Sequence, residues 1–266
     1  MQWNLDAEKA LKKVPFFVRK KVRALVEEEA RKGGKARVSL ADVKATQKRY
    51  LTGMKSEVSG YQLDTCFGPG GCPNAVNQSQ GLVDQIESLL KRADFLGFLQ
   101  SKGIEDLKFH HEFRVTVADC PNACSQPQIK DIGIIAALLP GITDEACTAC
   151  KACVEICREA ALSLTEDSLQ PTVDFNRCLA CGACIPVCPT GTIVEGSAGY
   201  RIQLGGKLGR HPQLARELPG IYDAAATFKI ISASIDLYKT KSRKGERFGQ
   251  ILHRTDFDEL AERFKN

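Results

Sequence analysis

The sequence predicts an α+β fold in which a cysteine-rich block interrupts a strand-containing module. Three observations lead there. Residues 1–54 carry helical periodicity with caps and stops. Strand-like alternation appears on both sides of residues 139–191. Twelve cysteines occur at spacings typical of metal ligands. The 266 residues are 43% hydrophobic, enough for a sizeable core. No apolar run reaches membrane-spanning length, and the first residues lack the pattern of a secretory signal, so a cytoplasmic chain without a membrane span is expected. A reducing cytoplasm disfavours disulfides. The net charge is +5. The basic run from Lys12 to Arg23 is followed at once by Glu27, Glu28 and Glu29. A solvated helix face is therefore expected rather than nucleic-acid binding.

Asp6 is placed to cap a first helix. Pro15 suits the first turn of a second, with Phe16, Phe17, Val22, Leu25 and Val26 on its apolar side and Gly33-Gly34 as its stop. Ser39-Leu40-Ala41-Asp42 reads as a capping box opening a third helix that ends at Gly53. From Gly60 the glycines and the first cysteine pair read as loop. Leu82, Ile86, Leu89 and Leu90 give Ser79 to Gln100 the spacing of one helix. Phe113, Val115 and Val117 alternate, so Glu112 to Ala118 reads as a strand, and Ile129 to Ala137 as a second, buried one. Tyr200, Ile202 and Leu204 alternate again before Gly205-Gly206. Asp223 to Tyr238 is an amphipathic helix, and Thr255 caps a last one. The domains expected are a helical one at 1–54, a module at 55–138 and 192–240, the inserted block at 139–191, and a helical tail at 241–266.

Cys147, Cys150, Cys153 and Cys157 have the spacing C-x2-C-x2-C-x3-C, and Cys178, Cys181, Cys184 and Cys188 repeat it before Pro189. This block looks like a bacterial-type two-cluster ferredoxin. Three close thiolates wrap one [4Fe-4S] cluster, and the fourth comes from the other motif. One cluster then takes Cys147, Cys150, Cys153 and Cys188, and the other takes Cys178, Cys181, Cys184 and Cys157. Arg158 stands where the motif usually has proline, which affects only the local turn. Zinc is the alternative for such thiols, but it has no need of crossed spacing.

Four cysteines remain: Cys66, Cys72, Cys120 and Cys124, enough for a third [4Fe-4S] cluster. C-x5-C followed by C-P-N-x-C is similar to the sirohaem and [4Fe-4S] half-site of the sulfite and nitrite reductase family. Phe113 to Ile134 and Leu204 to Ala215 resemble that family as well. The resemblance implies that Cys124 bridges a cluster iron to sirohaem, with Asn122 beside it. Gly68, Gly70 and Gly71 would let backbone amides approach the cluster. Sirohaem is rich in carboxylates, and Arg114, Lys130, Lys207, Arg210 and His211 lie in the matched stretches as candidate cations. A third cluster without haem is the alternative. Separately, Trp3, Ala7, Pro15-Phe16-Phe17-Val18-Arg19-Lys20-Lys21-Val22 and Glu27 to Ala30 resemble the small C-terminal domain of a subunit of light-independent protochlorophyllide reductase. In that family the domain helps enclose a tetrapyrrole.

Sulfite-reducing members carry bases over the distal haem face, often as a Lys-Phe-Lys stretch. Here Glu112-Phe113-Arg114 stands there, and the family's arginine-rich segment has no counterpart. Arg114 and Lys130 remain candidates for binding an oxyanion, and His110 and His111 for supplying protons; an exposed loop pair is the alternative for the histidines. Family enzymes enclose the haem with two related halves and this chain has length for one. A second copy or a different chain is therefore expected to complete the pocket, giving a homo- or hetero-oligomer. The function expected first is sirohaem-dependent reduction of sulfite, nitrite or a related small oxyanion, with electrons arriving from a donor protein or partner redox subunit. An iron–sulfur electron-transfer subunit of a larger redox complex, and a tetrapyrrole-binding or tetrapyrrole-modifying protein, are the other two readings.

Overall fold

The computed structural model describes residues 1–56, 58–104, 107–164 and 170–265. The chain forms two compact units, Met1–Val58 and Ser59–Asn266.

In the first unit, β1 (Gln2–Trp3) pairs in parallel with β2 (Arg37–Val38). Three helices accompany them: α1 (Leu5–Lys12), α2 (Phe16–Lys32) and α3 (Leu40–Ser56). The N-cap of α1 is Asn4, not Asp6, which falls within the first turn, where a carboxylate still favours the helix dipole. Pro15 is the N-cap of α2. The face that α2 buries is Val22, Val26 and Ala30, packed with Ala7, Val38 and Val43. Phe16 and Leu25, expected on that face, are exposed; the 3.6-residue period from Val26 to Ala30 leaves them off it. The Phe17 side chain lies outside the described residues. Gly33 ends α2 as expected. The capping box is present: Ser39 N–H donates to Asp42 Oδ2 at 2.9 Å, and Asp42 N–H reaches Ser39 Oγ at 3.4 Å. Helix α3 continues past Gly53 to Ser56, one glycine being a small cost inside a long helix.

The second unit is built on a five-stranded mixed sheet, ordered β3 (Tyr61–Thr65), β4 (Phe113–Ala118), β5 (Ile132–Ile142), β8 (Ile193–Leu204) and β9 (Arg216–Glu217). The first three strands are parallel, and β8 and β9 join antiparallel. β3 replaces part of the loop expected from Gly60. Its apolar residues are only Tyr61 and Leu63, too short an alternation to stand out. β5 begins at Ile132, three residues later than expected, because Pro127–Ile129 is a 3-10 turn. Between β5 and β8 lie α6 (Ala152–Ile156) and the antiparallel pair β6 (Leu162–Ser163) and β7 (Thr172–Val173).

Helices cover one face of the sheet. The expected single helix at 79–100 is two, α4 (Gln80–Arg92) and α5 (Phe95–Ser101). Asp94 adopts φ 41° between them and caps α5 by accepting from Gly97 N–H. Helices α7 (Ala224–Lys241), α8 (Phe248–Ile251) and α9 (Arg254–Arg263) follow the sheet. Asp223, expected as the first residue of α7, is its N-cap; His253 rather than Thr255 is the N-cap of α9. Phe113, Val115, Val117, Ile132, Ile134, Tyr200, Ile202 and Leu204 point into the core against Ile86, Leu90, Phe95, Ile231, Tyr238, Phe248 and Leu260. The alternate residues, Asp64, Arg114, Thr116, Arg201 and Gln203, lie on the opposite, polar face. Among the described residues no helix is long and apolar enough to cross a membrane.

Asp42 shows how a cap couples to pH. Bonds from Lys35 and Ser39 hold its carboxyl at about 2. Its contribution is present above the ordinary carboxylate range and is lost as pH falls toward 2. Ser39→Ala should cost the start of α3 about 1 kcal/mol, read as faster amide exchange there at pH 6. The difference from wild type should shrink as the pH is lowered through that window.

Candidate metal centre

β3 and β4 run parallel with Thr65 opposite Val117. Both chain segments leave the sheet at the same end, and Cys66 and Cys120 emerge there side by side, 54 positions apart in sequence. Ligands at the carboxyl ends of parallel strands are a general habit of such sheets. Cys66 N–H donates to Val117 carbonyl at 3.1 Å. Gly68 N–H and Asp119 N–H each donate to Cys66 Sγ at 3.2 Å. A Cβ at Gly68 would sit 2.3 Å from the Asp119 side chain, so only glycine allows this approach. Gly71 has φ 93°, whereas the Gly70 position is open.

The Cys120–Cys124 loop turns through Ala123 at φ 52° and Gln126 at φ 59°. It then lies across the polar face of the sheet. A Cβ on Gly133 would come 2.4 Å from the Pro127 carbonyl oxygen, and one on Gly206 would come 2.5 Å from that of Gln128. Cys120 is buried and Cys124 exposed. Burial pushes the Cys120 thiol up, the Asn122 N–H opposes this, and the charges of Cys66, Cys124 and Cys72 push it further. Four sulfurs that repel one another as thiolates suit a shared cationic metal centre, which favours the deprotonated form.

The cysteine-rich segment shows the same chemistry twice. Ala149 N–H donates to Cys147 Sγ and Ala180 N–H to Cys178 Sγ, each at 3.4 Å. Left-handed backbone recurs at matching places: Ala149 and Ala180 (φ 55° and 56°), then Lys151 and Gly182 (φ 61° and 65°). For a residue other than glycine that conformation costs roughly 1–2 kcal/mol. Burial raises the Cys153 thiol, and neighbouring Cys147 and Cys150 add to the shift. Burial also raises Cys178, and raises Cys184 to about 11, with Cys181 and Cys157 adding to both. Cys157, from the first motif, thus sits among the thiols of the second. Cys188 packs in an apolar cluster with Cys153, Cys157 and Cys184. Burial would raise its thiol, but donors at Ile193, Thr190 and Thr192 outweigh that and bring it to about 7. Among the described residues no three potential ligands converge as they would on a single metal ion.

Of the remaining candidates, Arg114 lies on the polar face of β4, and His110 and His111 precede that strand, at the end opposite the one from which Cys66 and Cys120 emerge. Arg114 donates through Nη2 to the Phe109 carbonyl at 3.1 Å. Its Nε is buried and has no partner among the described residues, a donor that a carboxylate oxygen would satisfy. Lys130 pairs with Asp64 Oδ2 at 2.6 Å. Buried Lys207 donates to the His211 carbonyl, pinning a hairpin whose tip exposes Arg210 and His211. Asn122 is exposed between Cys120 and Cys124. His110 and His111 form a 3-10 turn, their rings 4.1 Å apart, with Lys108 N–H donating to His111 Nδ1 at 3.1 Å. Glu112 is 1% exposed, and its Oε1 accepts from Ser59 N–H at 3.0 Å. Burial raises its carboxyl toward the neutral form.

Sequence reasoning missed Asp131, which is fully buried. It accepts from Arg114 N–H (2.8 Å), from Phe248 N–H (3.3 Å), and from Arg247 Nε (3.2 Å) and Nη2 (2.5 Å). It also passed over Arg201 and Gln203, although their alternation with Tyr200, Ile202 and Leu204 was a usable signal.

Residues 61–266 match the family described as nitrite and sulphite reductase 4Fe-4S domain. Residues 3–47 match that described as proto-chlorophyllide reductase 57 kD subunit. The coenzyme F420-dependent sulfite reductase of Methanocaldococcus jannaschii is 29% identical over 196 residues, 73% of this chain and 30% of that protein. A subunit of the anaerobic sulfite reductase of Salmonella typhimurium is 25% identical over 127 residues, 47% of this chain and 32% of its own length. A subunit of the light-independent protochlorophyllide reductase of Chlorobium phaeobacteroides is 53% identical over 53 residues, 20% of this chain and 10% of that protein. The chain thus spans about a third or less of the length of these curated relatives.

Gly133→Ala should lift the Pro127 turn from the sheet and displace Cys120 and Cys124. The expected outcome is a loss of about 1–3 kcal/mol of stability and of iron bound per chain, checked by denaturant unfolding and metal analysis.

Proposed function

The chain belongs to the nitrite and sulphite reductase 4Fe-4S domain family, and on that premise we propose that it is a sirohaem- and iron–sulfur-dependent oxidoreductase that reduces sulfite, nitrite or a related small oxyanion. The grouping of Cys66, Cys72 and Cys124 around Cys120 carries this reading. In the same reading residues 139–191 are an inserted two-cluster ferredoxin and residues 1–54 a helical domain. When bound, a [4Fe-4S] cluster would supply one-electron transfer and sirohaem a redox-active iron.

The chain's own residues have separable tasks. Cys66, Cys72, Cys120 and Cys124 would hold one cluster, and Cys124, the exposed cysteine, would link it to the haem. Amide donors from Gly68 and Asp119 offset negative charge on Cys66. Arg114, Lys130, Lys207, Arg210 and His211 would bind the haem carboxylates. Arg114 and Lys130 neutralise the oxyanion, while His110 and His111 deliver protons. Glu112 opposes this less than its sequence position suggests, since burial favours its uncharged form. A second copy or a different chain completes the pocket, and a separate donor protein supplies electrons.

An electron relay without catalysis of its own is the second reading. It is favoured by Glu112 in place of a base.

Haem-replete protein should oxidise a reduced viologen dye when sulfite or nitrite is added under anaerobic conditions. Cys124→Ser should abolish this while the ferredoxin-type signals persist. Lack of turnover with both oxyanions overturns the enzymatic reading, and turnover restored only by a larger co-purified partner establishes the relay.

A further inference from the structure

Arg201 stands on the polar face of β8, opposite Ile135, which lies opposite Ala118 in turn. Its guanidinium forks onto Glu217 of β9, Nε to Oε1 at 2.6 Å and Nη2 to Oε2 at 2.9 Å. Gln203 Nε2 donates to the same carboxylate at 2.9 Å. The third nitrogen, Nη1, donates to the Leu179 carbonyl at 3.3 Å. Leu179 lies between Cys178 and Cys181. That loop is docked on the sheet by its backbone as well: Leu138 N–H donates to the Ala180 carbonyl at 2.8 Å. Gly182 completes the fit, since a Cβ there would meet Leu138 Cδ2 at 2.8 Å. The first motif carries Lys151 at the matching place, so the second motif is the one shaped to lie against the sheet.

We propose that Arg201, restrained by Glu217, raises the reduction potential of the cluster held by Cys157, Cys178, Cys181 and Cys184, and makes that cluster the link between the cysteine-rich segment and the site at Cys66–Cys124. This rests on the cluster assignment proposed above. Each electron accepted adds one negative charge to a cluster, so a fixed cation favours the reduced form. The Arg201 side chain is 21% exposed and Glu217 33%, so solvent screens both only in part. Glu217 holds the guanidinium in place and offsets some of its charge. Removing either partner should therefore move the potential in opposite directions, which a purely structural role would not do.

The test is an anaerobic redox titration of the full-length, cluster-reconstituted chain, following each reduced cluster by electron paramagnetic resonance. Arg201→Gln should lower the midpoint of one cluster by about tenfold in its reduction equilibrium, or about 59 mV for one electron, leaving the other signals in place. Glu217→Gln should raise the same midpoint. Unchanged iron content shows that the variants still assemble. If Arg201→Gln loses iron, the Glu217→Gln shift decides alone. Unmoved midpoints, or shifts of the same sign in both variants, overturn the inference. A wild-type chain without cluster signals overturns the parent reading and this inference with it.

Discussion

The constraint on which the rest of this structure depends is that β3 and β4 end in register. A parallel pair needs a long crossover, here helices α4 and α5, and that crossover brings Cys66 and Cys120 to one edge. Cys66 N–H closes on Val117 and Asp119 N–H on Cys66 Sγ, so strand pairing and thiol placement are the same set of bonds. The core stacks Phe95 on Phe113 at 4.9 Å and seats Tyr238 against both, fixing β4 from its apolar side. The opposite face carries the segment that follows Cys124, laid across it at Pro127 and Gln128 where Gly133 and Gly206 leave room.

Buried charge ties that face to the far end of the chain. Asp131 joins the start of β5 to the Arg114 amide and, through Arg247 and Phe248, to α8. Burial raises its carboxyl, while the Arg247 charge and the amide donors oppose this. A buried ion pair is weak evidence for stability, but removing one partner leaves an uncompensated charge at a cost of about 3–5 kcal/mol. Its consequence here is positional. Arg114 and Lys130, the two cations expected nearest the substrate, flank a carboxylate that the C-terminal segment holds in place.

The cysteines stood out in the sequence because their spacings repeat and match those that metal ligation imposes elsewhere. Cys157 lies near Cys178 and Cys184, and their sharing of one cluster belongs to the proposed reading. The strands with clear alternation, β4 and β8, were legible for the same kind of reason. What was hidden depends on tertiary context. The break at Asp94 carries no proline, the glycine that serves its cap, Gly97, lies three residues on, and β3 has two apolar residues to show. Phe16 and Leu25 looked like core and are solvent-facing, because a small unit cannot cover every apolar side chain. Asp131 and Arg247 lie 116 positions apart, and no local pattern links them.

The central claim is that this chain couples a [4Fe-4S] cluster to sirohaem. The most direct test is an anaerobic visible spectrum of protein purified from a host that makes sirohaem, with iron and extractable macrocycle quantified on the same sample. Sirohaem bands together with iron for three [4Fe-4S] clusters are predicted. Iron for three clusters without any macrocycle would contradict the coupled centre and leave an electron relay.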